Sequence, residues 1–208
     1  MAPKGDPSEA SLASVGFGGA APRRILVVAP QPFYQDRGTP IALRHVLEAF
    51  SQLGLHADVM TFPVGDDVDI PGVRILRIPN LLGIRNVPIG FSVQKLLLDV
   101  QLAFSLRRHL RRAGHEYAGI HAVEEAAFLA TMLGRPRGLP VIYDMQSSLP
   151  DQLRKKAPFR VGLVQRFLRP CERWLLNRSD LVVCSAGLAA HVPLPTDRPS
   201  RSTNVTVT

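Results

Sequence analysis

The chain has 208 residues, 46% hydrophobic and 20% charged, which suits one globular domain with a full core and is marginal for two. Lys and Arg outnumber Asp and Glu by 25 to 17, a balance that favours anionic partners and says nothing about fold. Cys171 and Cys184 form no C-x-x-C pair, which excludes a zinc ribbon or a disulfide scaffold and points to structural thiols in a reducing compartment. The sequons at Asn177 and Asn204 are then chance matches.

Met1 to Pro22 has no apolar run after a basic start, so it reads as a disordered segment rather than a secretory signal. Ordered sequence begins at Arg23. Ile25–Ala29 (ILVVA) is a continuous apolar run, as expected of a strand buried on both faces of a parallel sheet. After a loop, Thr39 as N-cap and Pro40 at the first position open a helix with an apolar stripe of Ile41, Val46, Leu47, Phe50 and Leu53, stopping near Gly54. Ala57–Phe62 is the second strand, and Val73–Ile78 a half-exposed third. A helix follows over Ser92–Arg112, its apolar side assigned to Leu96, Leu97, Val100, Phe104 and Leu110. No stretch here reaches the uninterrupted apolar run of about 20 residues that a spanning helix needs.

Ala118–His121 is a short strand, and Glu124–Leu133 a helix with two acidic residues at its positive end. Val141–Tyr143 is the fifth strand. Phe159–Arg178 is a long helix with Pro170 as a kink point, Leu181–Cys184 the sixth strand, and Ala186 the start of another helix. Strands alternating with helices predict right-handed crossovers: an α/β fold with a doubly wound, mostly parallel open sheet and helices on both faces. The domain is expected to span residues 23–192. From Pro193 the chain turns polar and Pro/Ser/Thr-rich, and is expected to be a disordered or foreign tail with no second domain after it.

In such a sheet, ligands bind at the carboxyl ends of the strands. Three segments project there. In the first loop, Gly38 permits close backbone approach, the helix opening at Thr39 aims N–H groups at a phosphate, and Arg37 adds charge. A well-capped helix after a tight turn explains the same residues. The loop lacks G-x-G-x-x-G, which disfavours an NAD(P)-linked enzyme.

In the second segment, His121 at a strand end suits a general base or a hydroxyl partner, or a structural histidine. Glu124 and Glu125 are not a hydrolase pair, since helix neighbours diverge; one is expected to face the cleft and the other to cap the helix. In the third, Ser148 and Asp151 match a capping box, whereas Asp144, Gln146 and Ser147 form a polar cluster suited to a sugar or phosphate. Arg107, Arg108, Arg111 and Arg112 form one basic block and Arg154, Lys155 and Lys156 another. Each suits either an anionic membrane surface or a solvated helix end.

Over Arg23–Val192 the sequence resembles the N-terminal domain of glycosyltransferase family four. The likeness lies in ILVVAPQPFYQDRGTPIA, DVDIPGVRILRIP, IHAVEEAAF, VIYDMQSSLP and CERWLLNRSDLVV. The resemblance implies one Rossmann-like half of a GT-B fold, shaping the acceptor site of a retaining transferase. A nucleotide-sugar donor would be co-substrate, with no other cofactor and no metal. Its partners would be a sugar or lipid-linked acceptor and a separately encoded C-terminal domain. Gly38 and Thr39 would approach the donor phosphates. Relatives carry a catalytic-site His where this chain has Gln146. Without the donor half, the chain alone is expected to be inactive, in the cytoplasm or peripheral at the inner membrane face. A non-catalytic carbohydrate- or membrane-surface-binding module is the alternative, and nucleic-acid binding has no motif behind it.

Overall fold

A computed structural model describes residues 24–88, 92–147, 162–184, 188 and 204–207. The capping box at Ser148 and Asp151, the basic run at 154–156 and the N-terminal segment lie outside these residues. So does all but Leu188 of the helix expected from Ala186.

Among the described residues seven strands form one parallel sheet: β1 (Arg24–Ala29), β2 (Ala57–Thr61), β3 (Val73–Arg77), β4 (Tyr117–Val123), β5 (Val141–Met145), β6 (Leu181–Cys184) and β7 (Asn204–Val207). Their spatial order is β3-β2-β1-β4-β5-β6-β7. The chain therefore runs outward in one direction from β1 and in the other from β4, which makes the β1/β4 border the switch point. β7 pairs with β6 from Leu181↔Asn204 to Cys184↔Val207. Within the segment read as a tail, Asn204–Val207 takes this strand: Asn-Val-Thr-Val is rich in β-branched residues, and β6 offers it an open edge.

Among the described residues four α-helices connect these strands: α1 (Gly38–Gln52), α2 (Val93–Ala113), α3 (Ala126–Leu133) and α4 (Gly162–Arg178). Alternation along β1 divides the core. Val27 and Ala29 pack with Leu43 and Leu47 of α1 on one face. Leu26 and Val28 pack with α2, α3 and the Leu175–Leu176 pair of α4 on the other. Helices thus cover both faces, as the right-handed crossover requires when strand order reverses.

Two helix details depart from the sequence reading. α1 starts two residues early: Arg37 is the N-cap in extended conformation, with no side-chain cap, and Thr39 lies inside the first turn. Its end is as expected, with Gly54 left-handed at φ 70° and its N–H donating to the Ser51 carbonyl. α2 is correctly placed but turned. Leu98, Leu102, Leu106 and Leu110 are its buried row, while Leu96, Leu97, Val100 and Phe104 face outward. A row at i, i+4 lies down one side of a helix, and burying one leucine is worth about 1.5–3 kcal/mol, so this row anchors α2.

At the amino end of the sheet, Asp58 is fully buried and accepts from Arg24, Arg74 and the Tyr117 hydroxyl. Burial raises its carboxyl pKa, but the Arg74 and Tyr117 hydrogen bonds outweigh that and hold it below the ordinary range. This network ties β1, β2, β3 and β4 together far from the carboxyl edge.

Candidate functional site

β1, β4 and β5 all end at the carboxyl edge beside the switch point, and the segments that leave them carry the polar residues. β4 runs two residues past its expected end, to Val123, and Glu124 turns the chain with φ 53°. Glu124 is half-buried, and its carboxylate accepts from the Ser147 hydroxyl at 3.0 and 3.2 Å. The end of β4 is thereby fastened to the end of β5.

One step inward, His121 and Asp144 are buried on the α1 face of the sheet, Nε2 to Oδ2 at 3.0 Å. The His121 ring meets Phe50 of α1 edge-on, with centroids 5.9 Å apart. The other Asp144 oxygen accepts from the Gln146 amide at 2.6 Å. A chain of contacts therefore runs from α1 through Phe50, His121 and Asp144 to Gln146, which is exposed at the edge. His121 sits beneath the surface of the crevice, in hydrogen-bond contact with Asp144.

Glu125 does not cap the helix with its side chain. It occupies the N-cap position of α3 without a side-chain cap bond, and its carboxylate pairs with Lys95 of α2. Helix α3 begins at Ala126, because Glu124 leaves the right-handed region.

Lys95 is a residue that the sequence reading missed. It is four-fifths buried, lies 3.6 Å from Asp99, and sits 5.9 Å from the centre of the Phe62 ring at the end of β2. Burial lowers its pKa, with Asp99 and Glu124 opposing the shift. Burial likewise pushes the Asp99 carboxyl up to about 6 against the pull of Lys95. Nothing in the local sequence marks Lys95, since it reaches the crevice from a helix that starts some distance along the chain from any of the three segments.

The loop after β1 is clamped rather than loose. Arg77 donates to the carbonyls of Phe33, Val64 and Asp66, and Tyr34 and Asp66 exchange backbone hydrogen bonds. Gly65, at φ 129°, touches Phe33 so closely that a Cβ would fall 2.5 Å from its carbonyl oxygen. Within this rigid loop Arg37 turns to the Val87 carbonyl at 3.3 Å. Gly38 opens α1 with nothing within 4 Å of where a Cβ would stand, and Thr39 follows. Gln31 Nε2 and Gln35 Oε1 are buried without a hydrogen-bond partner among the described residues.

The structure thus unites His121, Asp144 and Gln146 in one group, and Glu124 with Ser147 in a second. Glu125 stands with Lys95, and Arg37 points at a neighbouring loop. Among the described residues no group of three or more His, Cys, Asp or Glu has the geometry of a metal site. Cys171 and Cys184 are free thiols.

The family described as "Glycosyl transferase 4-like domain" matches residues 37–193, well over half of the chain. Comparison with curated proteins finds no match. Among solved structures, a sucrose-phosphate synthase from Thermosynechococcus elongatus is similar with a TM-score of 0.57 at 16% identity, over 89% of this chain and 47% of its own. UGT2 from Phytolacca americana, complexed with UDP-2fluoro-glucose and pterostilbene, gives 0.56 at 11% identity, over 89% of this chain and 53% of its own. A UDP-glucose: anthocyanidin 3-O-glucosyltransferase in complex with UDP gives 0.50 at 19% identity, over 78% and 47%. The chain spans about half the length of each. At these identities the likeness is one of fold.

Proposed function

We propose, from the premise that this chain belongs to the glycosyl transferase 4-like domain family, that it is the acceptor-side half of a retaining, nucleotide-sugar-dependent glycosyltransferase. The observation that carries this is the uncapped start of α1 at the switch point, on the same sheet edge as the Glu124–Ser147 and Asp144–Gln146 pairs. The first N–H groups of a helix have no intrahelical partner, and the helix dipole there favours an anion. With no side-chain cap and open space at Gly38, those groups at Gly38 and Thr39 suit a donor phosphate.

Gln146 stands where the resemblance places a histidine. It can hydrogen-bond a sugar hydroxyl but cannot take up a proton near neutral pH. Its amide is oriented by Asp144, which His121 holds in turn. The unpaired Gln31 amide nitrogen adds a donor beside the same strand ends. Most contacts to the nucleotide sugar fall to a second domain of the kind that fills the other half of a GT-B fold. Positioned donor contacts supply much of the acceleration in a transfer reaction.

The experiment is ligand-observed NMR on the purified 208-residue chain with a panel of nucleotide sugars and of mono-, oligo- and lipid-linked saccharides, run beside a transfer assay. Saturation of a saccharide acceptor with no product is expected. Product formed by the chain alone would overturn the division of labour between domains. Failure to bind any saccharide or nucleotide sugar would overturn the acceptor-side reading itself.

A further inference from the structure

Helix α2 has two apolar stripes. The inner one is the buried leucine row. The outer one, Val93, Leu96, Leu97, Val100 and Phe104, faces solvent with Leu81 and Leu82 of the preceding loop beside it. Of ten large hydrophobic side chains exposed among the described residues, seven lie here, and Phe104 is 70% and Leu81 77% exposed. Between the helix and β3 runs an open groove of about 870 Å³, floored by Met60, Ile75 and Ile78. A soluble surface rarely gathers this much contiguous apolar area without a partner.

The same outward stripe continues toward the C-terminal end of α2 as Arg107, Arg108, Arg111 and Arg112, all exposed. At 100° per residue these arginines fall on the same side of the helix as the apolar residues, across a broader arc. The only carboxylate of α2 is Asp99, and it is turned inward to Lys95. The surface is therefore apolar along one half and purely cationic along the other. Such a pattern has a narrow set of complements. A second copy laid on it, in either direction, would set its arginines against arginines or leucines, with no outward carboxylate of α2 to meet them. A bilayer interface offers acyl depth and phosphate charge side by side. No described helix is long and apolar enough to cross a membrane, so the contact would lie in the interface plane.

We infer that the outer face of α2, with the Leu81–Leu82 loop, is a docking surface for an anionic lipid bilayer. Phe104, Leu97, Val100 and the loop leucines enter the headgroup–acyl boundary, and the arginines take lipid phosphates with their stems lying along the interface. The sheet's carboxyl edge, reached by the N-terminal end of α2 through Lys95, is then held beside the membrane. This inference does not rest on the transferase reading, and either can fail without the other.

The test is co-sedimentation of the full chain with large vesicles of phosphatidylcholine, with and without phosphatidylglycerol, alongside sedimentation velocity without lipid. Binding to the anionic vesicles alone is expected, weakened in about 1 M salt, where screening acts within about 3 Å. Each arginine lost lowers partitioning about fivefold, so R108E/R112E should fall at least 25-fold, roughly the product of two such losses. L97S/F104S should lose binding as well, and both variants should keep the wild-type circular dichroism and melting temperature. No binding to anionic vesicles overturns the inference, as does binding that both variants retain. So does a wild-type dimer that L97S/F104S disperses, since the face would then belong to a second copy.

Discussion

Leu102 and Phe104 of α2 are two positions apart, and only the helix rotation decides which of them holds the domain together. Leu102 is fully buried and Phe104 is 70% exposed. Leu102→Ala removes core volume between α2 and the sheet, a change that costs about 2.7–5 kcal/mol in packed interiors. Phe104 hides less than a third of its surface. A phenylalanine buries about 150–200 Å² when enclosed, so roughly 50 Å² at about 25 cal/mol/Å² gives Phe104→Ala about 1.3 kcal/mol. Alanine's better helix propensity returns about 0.5 kcal/mol, leaving under about 1 kcal/mol. For a domain of this size each kcal/mol moves the melting temperature about 2–4 °C. Leu102→Ala should therefore lower it by roughly 5–20 °C and Phe104→Ala by at most about 4 °C. Thermal and urea melts followed by circular dichroism measure both. Equal losses, or the larger loss at Phe104, would mean that α2 presents its other stripe to the sheet, and would remove the outer face on which the membrane surface rests.

Three further outcomes follow from the packing. Asp58→Asn leaves Arg24 and Arg74 without their carboxylate; both are partly solvated, so about 2 kcal/mol is expected, below the cost of breaking a wholly buried pair. The Asp58 pKa is depressed in the folded chain, so its contribution is present above the ordinary carboxylate pKa of about 4 and fades as pH falls through the lower folded value. The wild-type advantage in urea melts should accordingly shrink between pH 7 and pH 3, and a gap that stays constant would refute the assignment. Gly65→Ala, at φ 129° and pressed on the Phe33 backbone, should cost several kcal/mol, whereas Gly38→Ala, with open space around it, should change stability by less than about 1 kcal/mol. The same pair of melts checks both, and a costly Gly38→Ala would show that the fold, rather than a ligand, needs glycine there.

Short continuous apolar runs were sufficient to locate the sheet. Ile25–Ala29 read directly as a buried strand, because a strand enclosed on both faces must be apolar at every position, and Leu181–Cys184 read as a strand from the same kind of run. The alternation of strand and helix then determined the α/β class and a parallel sheet, and the family motifs pointed to the carboxyl edge. What tertiary structure decided was how each helix is turned and which polar groups meet. The inner side of α2 begins with Lys95 and Asp99, which run into the crevice, so by hydropathy the outer side looked like the core face. Charge at a site defeats a rule that sorts charge outward. His121 and Asp144 meet across adjacent strands, and Lys95 reaches Glu125 from another helix. The lone Asn-Val-Thr-Val strand joins the sheet at the open edge of β6. Periodicity along a chain records which residues want to be buried; strand order and register decide whom they meet, because those contacts join positions that local sequence cannot relate.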